Sequence, residues 1–253
     1  GVTIANALEV PVTTGDSYTV TVAVESIREA SRVMEIPLGG ATAAVVGATG
    51  AIGRVCAELL AEDVERLYLI GRRQEALEEL RDRLRGRARA ELIVSTSMDV
   101  LAHAQLILTV TSAIHDVIRP EHLQPGSVVC DVARPRDVSA MVAAARDDIL
   151  VIDGGMVDVP GSVDFHFNFG FPPGKAYACM AETIALALEG RFEDYTLGKH
   201  LTRERVDEIG AMAKKHGFRL SGFRSFEREV TPQHIEIVRR NAQHARSLRM
   251  VYS

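Results

Sequence analysis

Six short, predominantly apolar runs recur in the first 153 positions, and none of them alternates regularly with polar residues. They occupy 41–46, 66–71, 91–94, 105–110, 127–131 and 149–152. Continuous hydrophobicity is typical of strands that helices cover on both faces, whereas half-exposed strands alternate. The gaps between the runs accommodate short helices, so the pattern predicts an α/β fold with a doubly wound parallel sheet.

Other patterns predict helices before, between and after these strands. Residues 1–14 are extended and β-branched in character, and Pro11 limits any strand there to a sheet edge. Helical spacing of apolar or charged residues predicts helices at about 18–34, 74–84, 175–189, 202–216 and 232–247. We therefore expect three parts, which are a lead-in strand and helix, the sheet domain, and a helical C-terminal region that packs on it: 1–40, 41–173 and 174–253.

A glycine-rich stretch joins the first apolar run to a helical pattern. A dinucleotide pyrophosphate binds backbone N–H groups at a helix N-terminus, where side chains would block it and where the helix dipole favours anions. The spacing G-x-x-G-x-x-G after a strand therefore indicates a Rossmann-type nucleotide-binding domain over 41–173. The predicted cofactor-binding residues of this turn are Gly47, Ala48, Thr49, Gly50, Ala51, Ile52 and Gly53.

The cofactor prediction depends on the end of the second apolar run. NAD-binding domains place an acidic residue near this point to hold the ribose hydroxyls, whereas arginine pairs with the 2′-phosphate of NADP. Arg72 and Arg73 stand there. We therefore expect NADPH. The alternative is that both arginines only begin the charged helix that follows.

The carboxyl ends of the later strands supply the remaining candidates, because ligands of open α/β sheets lie beyond these ends. Thr109, at the end of the fourth run, and Thr111 and Ser112, directly after it, are expected to line the nicotinamide half of the cofactor. Gly154 and Gly155 follow the sixth run and leave backbone room beside the ring. Their alternative role is an ordinary turn.

The three cysteines are far apart, with no C-x-x-C pair and no histidine at ligand spacing, so no metal site is expected. Cys56 and Cys130 fall inside a helix and a strand, and both are expected to be structural. Cys179 is either a small buried residue or a nucleophile. The second interpretation rests on its predicted place in the first turn of a helix, after Lys175, since both features lower a thiol pKa.

Net charge and hydropathy indicate which kinds of partner and which location to expect. A formal net charge of −5 gives no electrostatic case for nucleic acid. No apolar run approaches the roughly 20 residues that span a bilayer, and no signal-peptide pattern begins the sequence, so a cytoplasmic location is expected. Residues 199–253 carry twelve Lys or Arg against six Asp or Glu. These basic residues either lie on solvent-exposed helix faces or form a binding surface for an acidic partner. The sequence leaves open whether the protein forms a homo-oligomer.

Five stretches in order resemble the cyanobacterial-type long-chain acyl-[acyl-carrier-protein] reductases and together cover about residues 10–220. They are Thr13 to Thr19, Val45 to Gly53, Asp153 to Gly155, Ala178 to Glu182, and Lys215 to Phe218. The resemblance implies NADPH-dependent reduction of a fatty acyl thioester to an aldehyde, with Cys179 carrying the acyl group and an acyl carrier protein as the possible carrier. Members have a further N-terminal region, and we expect this sequence to match the NADPH-binding and C-terminal part.

Other interpretations remain open at this point. Cys130 to Val138 is similar to a signature in the nucleotide domains of glutamyl-tRNA reductases and shikimate dehydrogenases, which implies an oxidoreductase of that kind. A non-catalytic NADP-binding module, or a fragment of a larger synthase or reductase, is a further alternative. Tyr18, Lys175 and His166 are candidates for the group that protonates the product.

Overall fold

The computed structural model describes residues 1–114, 117–167, 170, 172–198, 201–226 and 228–252, with side chains described up to 248. Lys199 and Glu227, two of the charged residues counted near the C-terminus, lie outside this set. The helices are α1 (Val2–Ala5), α2 (Asp16–Val33), α3 (Ala51–Asp63), α4 (Gln74–Leu84), α5 (Ala140–Ala145), α6 (Ala178–Leu188), α7 (Arg203–Lys215) and α8 (Pro232–Tyr252). Short 3-10 turns occupy Leu38–Gly40, Asp99–His103 and Pro120–His122.

A six-stranded parallel sheet forms the centre of the fold, which confirms the predicted Rossmann-type architecture. Its strands are β1 (Thr42–Val46), β2 (Arg66–Ile70), β3 (Glu91–Ser95), β4 (Leu106–Thr109), β5 (Val128–Asp131) and β6 (Leu150–Asp153). Their spatial order is β3-β2-β1-β4-β5-β6, so the chain reverses direction across the sheet beside β1. Ligands of such folds bind outside the carboxyl ends of the strands at this switch point.

Both faces of the sheet are covered, as the continuous apolar runs predict. Ala43 and Val45 pack in one buried cluster with α2 and α3, whereas Ala44 and Val46 pack in another on the opposite face. Successive strand residues point to opposite faces, so every residue of β1 after Thr42 needs an apolar environment. Within the described part of the chain, no helix combines the length and apolar character needed to cross a membrane.

A second, three-stranded sheet lies beyond β6 and was not predicted. It consists of β7 (Met156–Asp158) between β8 (Lys175–Tyr177) and β9 (Arg219–Leu220), all antiparallel pairs. A small hairpin follows, formed by β10 (Arg224–Ser225) and β11 (Arg228–Glu229). Strands of two or three residues are too short to show a period of two, which is why the sequence pattern did not predict them.

The ends of the sheet domain differ in two details from the prediction. Residues 1–14 contain the helix α1 and no strand, since residues 12–14 bond to the loop after α6 only at separate points: Tyr195 N donates to Val12 O, and Thr14 N donates to Thr196 O. The C-terminal region is not wholly helical, since β8 to β11 fall within it. In particular, the helix predicted from Lys175 begins at Ala178, after three residues of strand.

Candidate active site

The glycine-rich turn after β1 has the close contacts that a dinucleotide turn requires. Gly47 has a φ of +84°, and a Cβ there would lie 2.6 Å from the Val110 carbonyl oxygen after β4. A Cβ on Gly53 would lie 2.2 Å from the Gly47 carbonyl oxygen. No side chain fits at either point, so the backbones of the strand, the turn and the helix lie in direct contact. A turn lined only by backbone in this way fits a pyrophosphate.

The helix after the turn presents its N-terminus to the same crevice. Gly50 caps α3, which begins at Ala51, and the first-turn amides of a helix have no acceptor within the helix. Thr49 and Gly50 are exposed, Ala51 and Ile52 are half-buried, and Ala48 is buried. The exposed part of the motif is therefore its middle, where an anion would approach.

Arg72 and Arg73 lie directly beside this turn. They follow Gly71, at which a Cβ would lie 3.6 Å from Thr49 Oγ1, and both arginines are exposed. Among the described residues, neither arginine forms an ion pair. Their guanidinium groups are thus available to an anionic ligand next to the glycine turn.

The threonines at the end of β4 and directly after it are hydrogen-bonded to a buried carboxylate, Asp137. Thr109 Oγ1 donates to Asp137 Oδ2 at 2.5 Å, and the Thr111 amide donates to the same oxygen at 2.9 Å. Thr111 Oγ1 donates to Oδ1. Thr109 is fully buried, so its hydroxyl lies beneath the crevice and not in it. Thr111 is half-buried and Ser112 exposed, and these two residues remain at the surface.

A second buried carboxylate, Asp131 at the end of β5, shapes the next loop. Its two oxygens accept the amides of Ala133 and Val138, each at 3.0 Å. Burial, together with the nearby charge of Asp137, raises the pKa of Asp131 to about 6, against the lowering effect of the two amides. Both acids lie inside the Cys130 to Val138 stretch, which the sequence places at the carboxyl end of a strand without giving either acid a role.

The glycine pair after β6 links this crevice to the cysteine. The Gly154 amide donates to Asp131 O at 2.9 Å, and a Cβ on Gly154 would lie 2.7 Å from Val132 Cγ2. Gly155 O accepts the amide of Ala178 at 2.7 Å. Contacts therefore run without a gap from the Gly47 turn, through the Asp137 and Asp131 loops, to the start of α6.

Cys179 is the second residue of α6 and is exposed, which agrees with its predicted place in a first helical turn. The predicted lowering of its pKa is wrong. Protein packed around the thiol raises its pKa, and the charges of Asp16 and Glu182 add to this, against smaller opposing effects of the Met180 and Cys179 amides. Lys175 does not assist, because its Nζ donates at 2.6 Å to both Asp158 and Ser221.

Gly15, in the segment that enters α2, packs against the backbone of Cys179. A Cβ on Gly15 would lie 2.3 Å from Cys179 Cα, and Gly15 has a φ of +76°. Asp16, the next residue, has a pKa raised by partial burial. Sequence reasoning placed residues 13–19 and 178–182 in the same resemblance, and that was the available signal that they meet.

The three candidates for proton donation lie in different settings. Tyr18 is buried, forms an edge-to-face contact with Phe218, and has a pKa raised by burial. Lys175 is bound to Asp158 as described. His166 is 87% exposed and faces Asp164, with its amide bonded to that carboxylate. Asp16, which was not among the candidates, is the acidic side chain beside Cys179.

The raised pKa leads to a prediction about thiol chemistry. Iodoacetamide is expected to modify Cys179 alone in the native protein, because Cys56 and Cys130 are fully buried. The rate at pH 7 should lie below that of a free thiol and keep increasing beyond pH 8.5, roughly the ordinary thiol pKa, since only the thiolate reacts. Peptide mapping after timed alkylation from pH 6 to 10 measures this, and a plateau below pH 7 would contradict it.

Comparison with known proteins gives a family match and several similar curated proteins, of which two are described here. The model of the shikimate / quinate 5-dehydrogenase family matches residues 28–153, which include the whole six-stranded sheet. The chain contains an oxidoreductase-type NAD(P)-binding domain. Aminotransferase PigE of a Serratia species is 35% identical over 243 residues, or 93% of this chain and 28% of that protein.

The second relative is the long-chain acyl-[acyl-carrier-protein] reductase of Synechococcus elongatus. It is 32% identical over 214 residues, which are 81% of this chain and 61% of that protein. The resemblance noted from the five stretches is thus confirmed as homology, and the chain spans less than two thirds of either relative. Among solved structures, glutamyl-tRNA reductase from Methanopyrus kandleri aligns with a TM-score of 0.41 at 18% identity, over 93% of this chain and 44% of that one.

Proposed function

We propose that this chain is the reductase part of an NADPH-dependent acyl-thioester reductase, in which Cys179 carries the acyl group that is reduced to an aldehyde. The observation that carries the proposal is the hydrogen bond from the Ala178 amide to Gly155 O. This bond holds Ala178, the residue before Cys179, at the carboxyl edge of the sheet. The dinucleotide turn lies along the same edge. A nucleophile and a nucleotide site on one edge can act on one substrate.

The covalent step uses the chain's own residues. Cys179 Sγ gives up its proton and attacks the carbonyl carbon of an acyl thioester, so that a new thioester forms on Cys179 and the carrier leaves as a thiol with one proton. Because the pKa of the resting thiol is raised, a base must accept this proton at neutral pH. Asp16 is the proposed acceptor, since it is the acidic side chain on the turn that packs against Cys179.

The cofactor site is proposed from the same crevice. Gly47 to Gly53 with the N-terminus of α3 would hold the pyrophosphate, and Arg72 with Arg73 would hold the 2′-phosphate. Thr111, Ser112, Gly154 and Gly155 would line the nicotinamide side. When bound, NADPH supplies the hydride that reduces the acyl carbon to the aldehyde level. The carbon–sulfur bond to Cys179 then breaks, the aldehyde leaves, and the Cys179 thiolate takes up one proton from solvent to become the thiol again.

An apolar groove beside α6 supports a hydrocarbon substrate. It encloses about 410 Å³, and Thr183, one helical turn after Cys179, lines it together with Thr13. Four exposed apolar side chains form part of its walls, namely Ile4, Leu8, Val10 and Phe192. The charged residues Arg191 and Glu193 also line it. Burying a methylene group stabilises binding by about 0.8 kcal/mol, so a long acyl chain would gain affinity here. The name of the Synechococcus relative supports acyl carrier protein as the carrier.

Intact-protein mass spectrometry tests the proposal. The protein is incubated with palmitoyl-coenzyme A, first alone and then with NADPH. We expect one palmitoyl adduct that disappears when NADPH is added, with palmitaldehyde in the organic extract. Normal NADPH binding without any adduct would refute the reductase and favour a non-catalytic NADP-binding module, for which the raised pKa of Cys179 is the supporting observation.

Cofactor choice provides a separate prediction. The double variant Arg72→Ala/Arg73→Ala is expected to weaken NADPH binding about tenfold to a hundredfold and to leave NADH binding unchanged, because only NADPH has the 2′-phosphate. Fluorescence titration of each nucleotide measures the two dissociation constants. Arg85→Ala, at the exposed C-terminal end of α4, is the matched control. Equal losses for both nucleotides would contradict the assignment.

A further inference from the structure

Glu182 is a buried carboxylate that the proposed reaction does not use directly. It lies one helical turn after Cys179 on α6 and is fully buried. Three donors converge on it: the Tyr18 amide at 2.8 Å to Oε2, Thr196 Oγ1 at 2.9 Å to Oε1, and Thr13 Oγ1 to the same oxygen. Burying a charged group is expensive unless it is hydrogen-bonded in this way.

Two of these donors belong to the segment that covers Cys179. Thr13 and Tyr18 flank Gly15, whose backbone rests on Cys179, so a single carboxylate fixes both ends of this turn. The third donor, Thr196, also pairs with Ser17 at 2.7 Å and accepts the Thr14 amide on its carbonyl. Glu182 therefore joins α6, on which it lies, to the start of α2 and to the loop after α6.

The charge of Glu182 is not neutralised by a cation. Within the described ranges no lysine or arginine pairs with it, and the titratable groups that face it are Asp16 on α2, Tyr195 in the following loop and Cys179 on its own helix. A glutamine has one acceptor oxygen and one NH2 donor group, so either the Tyr18 amide or the two threonine hydroxyls would face a donor. A carboxylate accepts all three hydrogen bonds, and it also places a negative charge near the thiol.

We propose that Glu182 is a positioning residue for Cys179, holding the turn at Gly15 against the nucleophile. The inference rests on the proposed function of Cys179 as the acyl carrier. Burial raises the pKa of the Cys179 thiol, and the charges of Asp16 and Glu182 add to this effect. The hydrogen bonds that Glu182 accepts also fix the position of the turn beside which the thioester carbonyl would be attacked. Alignment of a nucleophile with its substrate affects kcat more than KM.

The test compares Glu182→Gln, Thr13→Val and the wild type by two readouts. For Glu182→Gln we expect Cys179 alkylation by iodoacetamide at pH 7 to increase about threefold to tenfold, because a negative charge that disfavours the thiolate is removed. Its kcat for palmitoyl-coenzyme A reduction should fall at least about tenfold with KM little changed. Thr13→Val keeps the charge, so it should lower kcat without moving the alkylation pH profile.

Glu189→Gln is the matched control, because Glu189 caps the other end of α6 and binds Lys215 and His216 at the surface. Its alkylation and kcat should equal those of the wild type. A Glu182→Gln protein that stays folded, with Cys56 and Cys130 unreactive, and whose alkylation profile superimposes on the wild type would overturn the proposal. If that variant unfolds instead, an unchanged kcat in folded Thr13→Val would overturn it.

The two proposals fail separately. Alkylation requires neither acyl thioester nor nucleotide, so the Glu182 readout stands even if Cys179 never forms an acyl adduct. An absent adduct refutes the acyl-carrier role. An unshifted alkylation profile refutes the effect of Glu182 on the thiol.

Discussion

Cys179→Ala is expected to abolish both the palmitoyl adduct and aldehyde formation, with turnover at least about a thousandfold below that of the wild type. Removal of a nucleophile typically costs several orders of magnitude in kcat. The methyl group of alanine cannot attack a thioester, and the buried Cys56 and Cys130 cannot substitute for Cys179. Mass spectrometry of the adduct and gas chromatography of the aldehyde measure the two losses.

The folded state of this variant serves as its own control. Cys179 is exposed, so alanine leaves no cavity in the core, and the melting temperature and NADPH affinity should stay those of the wild type. If the alanine variant formed the adduct in undiminished yield, another residue would carry the acyl group, and the assignment of Cys179 as acyl carrier would be refuted.

Gly53→Ala is expected to weaken NADPH binding at least about a hundredfold and to reduce the free energy of unfolding by about 1–3 kcal/mol. The new Cβ would stand 2.2 Å from Gly47 O, 2.9 Å from Gly47 C and 3.2 Å from Ala48 Cα. These are backbone atoms and cannot rotate away, so α3 must move off β1 and the glycine turn must open. NADPH fluorescence titration and urea unfolding measure the two effects.

Gly86→Ala provides the matched substitution. Gly86 lies between α4 and β3, a Cβ there meets no atom within 4 Å, and its backbone does not adopt a positive φ. Alanine at such a site typically stabilises a protein by about 0.4–1 kcal/mol through the unfolded chain. NADPH binding of this control should be unchanged. A Gly53→Ala protein with wild-type nucleotide affinity would contradict the placement of the pyrophosphate at this turn.

The sheet was predictable because its strands are buried on both faces, and burial leaves a continuous apolar signal. The start of α6 was mistaken by three residues, since Lys175, Ala176 and Tyr177 suit a helix and form a strand only because Met156 to Asp158 lies alongside them. That pairing is a tertiary contact, and local sequence carries no trace of it. The division of the chain at residues 40 and 173 stays a prediction.

The candidate site was predictable in its residue types and less so in its electrostatics. Position in a first helical turn suggested a lowered Cys179 pKa, and the amides there do lower it, but burial and two carboxylates outweigh them. Asp16 stands 163 positions away in the chain, and Lys175, the expected cation, is held by Asp158. Long-range placement of charges decides such a pKa, and spacing along the chain does not report it.

The link between Thr13 and Glu182 also sets an order in time. The two residues are 169 positions apart in the chain. A ribosome adds about 5–20 residues per second, so the Thr13 hydroxyl exists for roughly 10 to 30 s before its carboxylate partner has been made. All six strands of the parallel sheet are synthesised within that interval. The surroundings of Cys179 can therefore close only after the complete nucleotide-binding sheet has left the peptidyl-transferase centre.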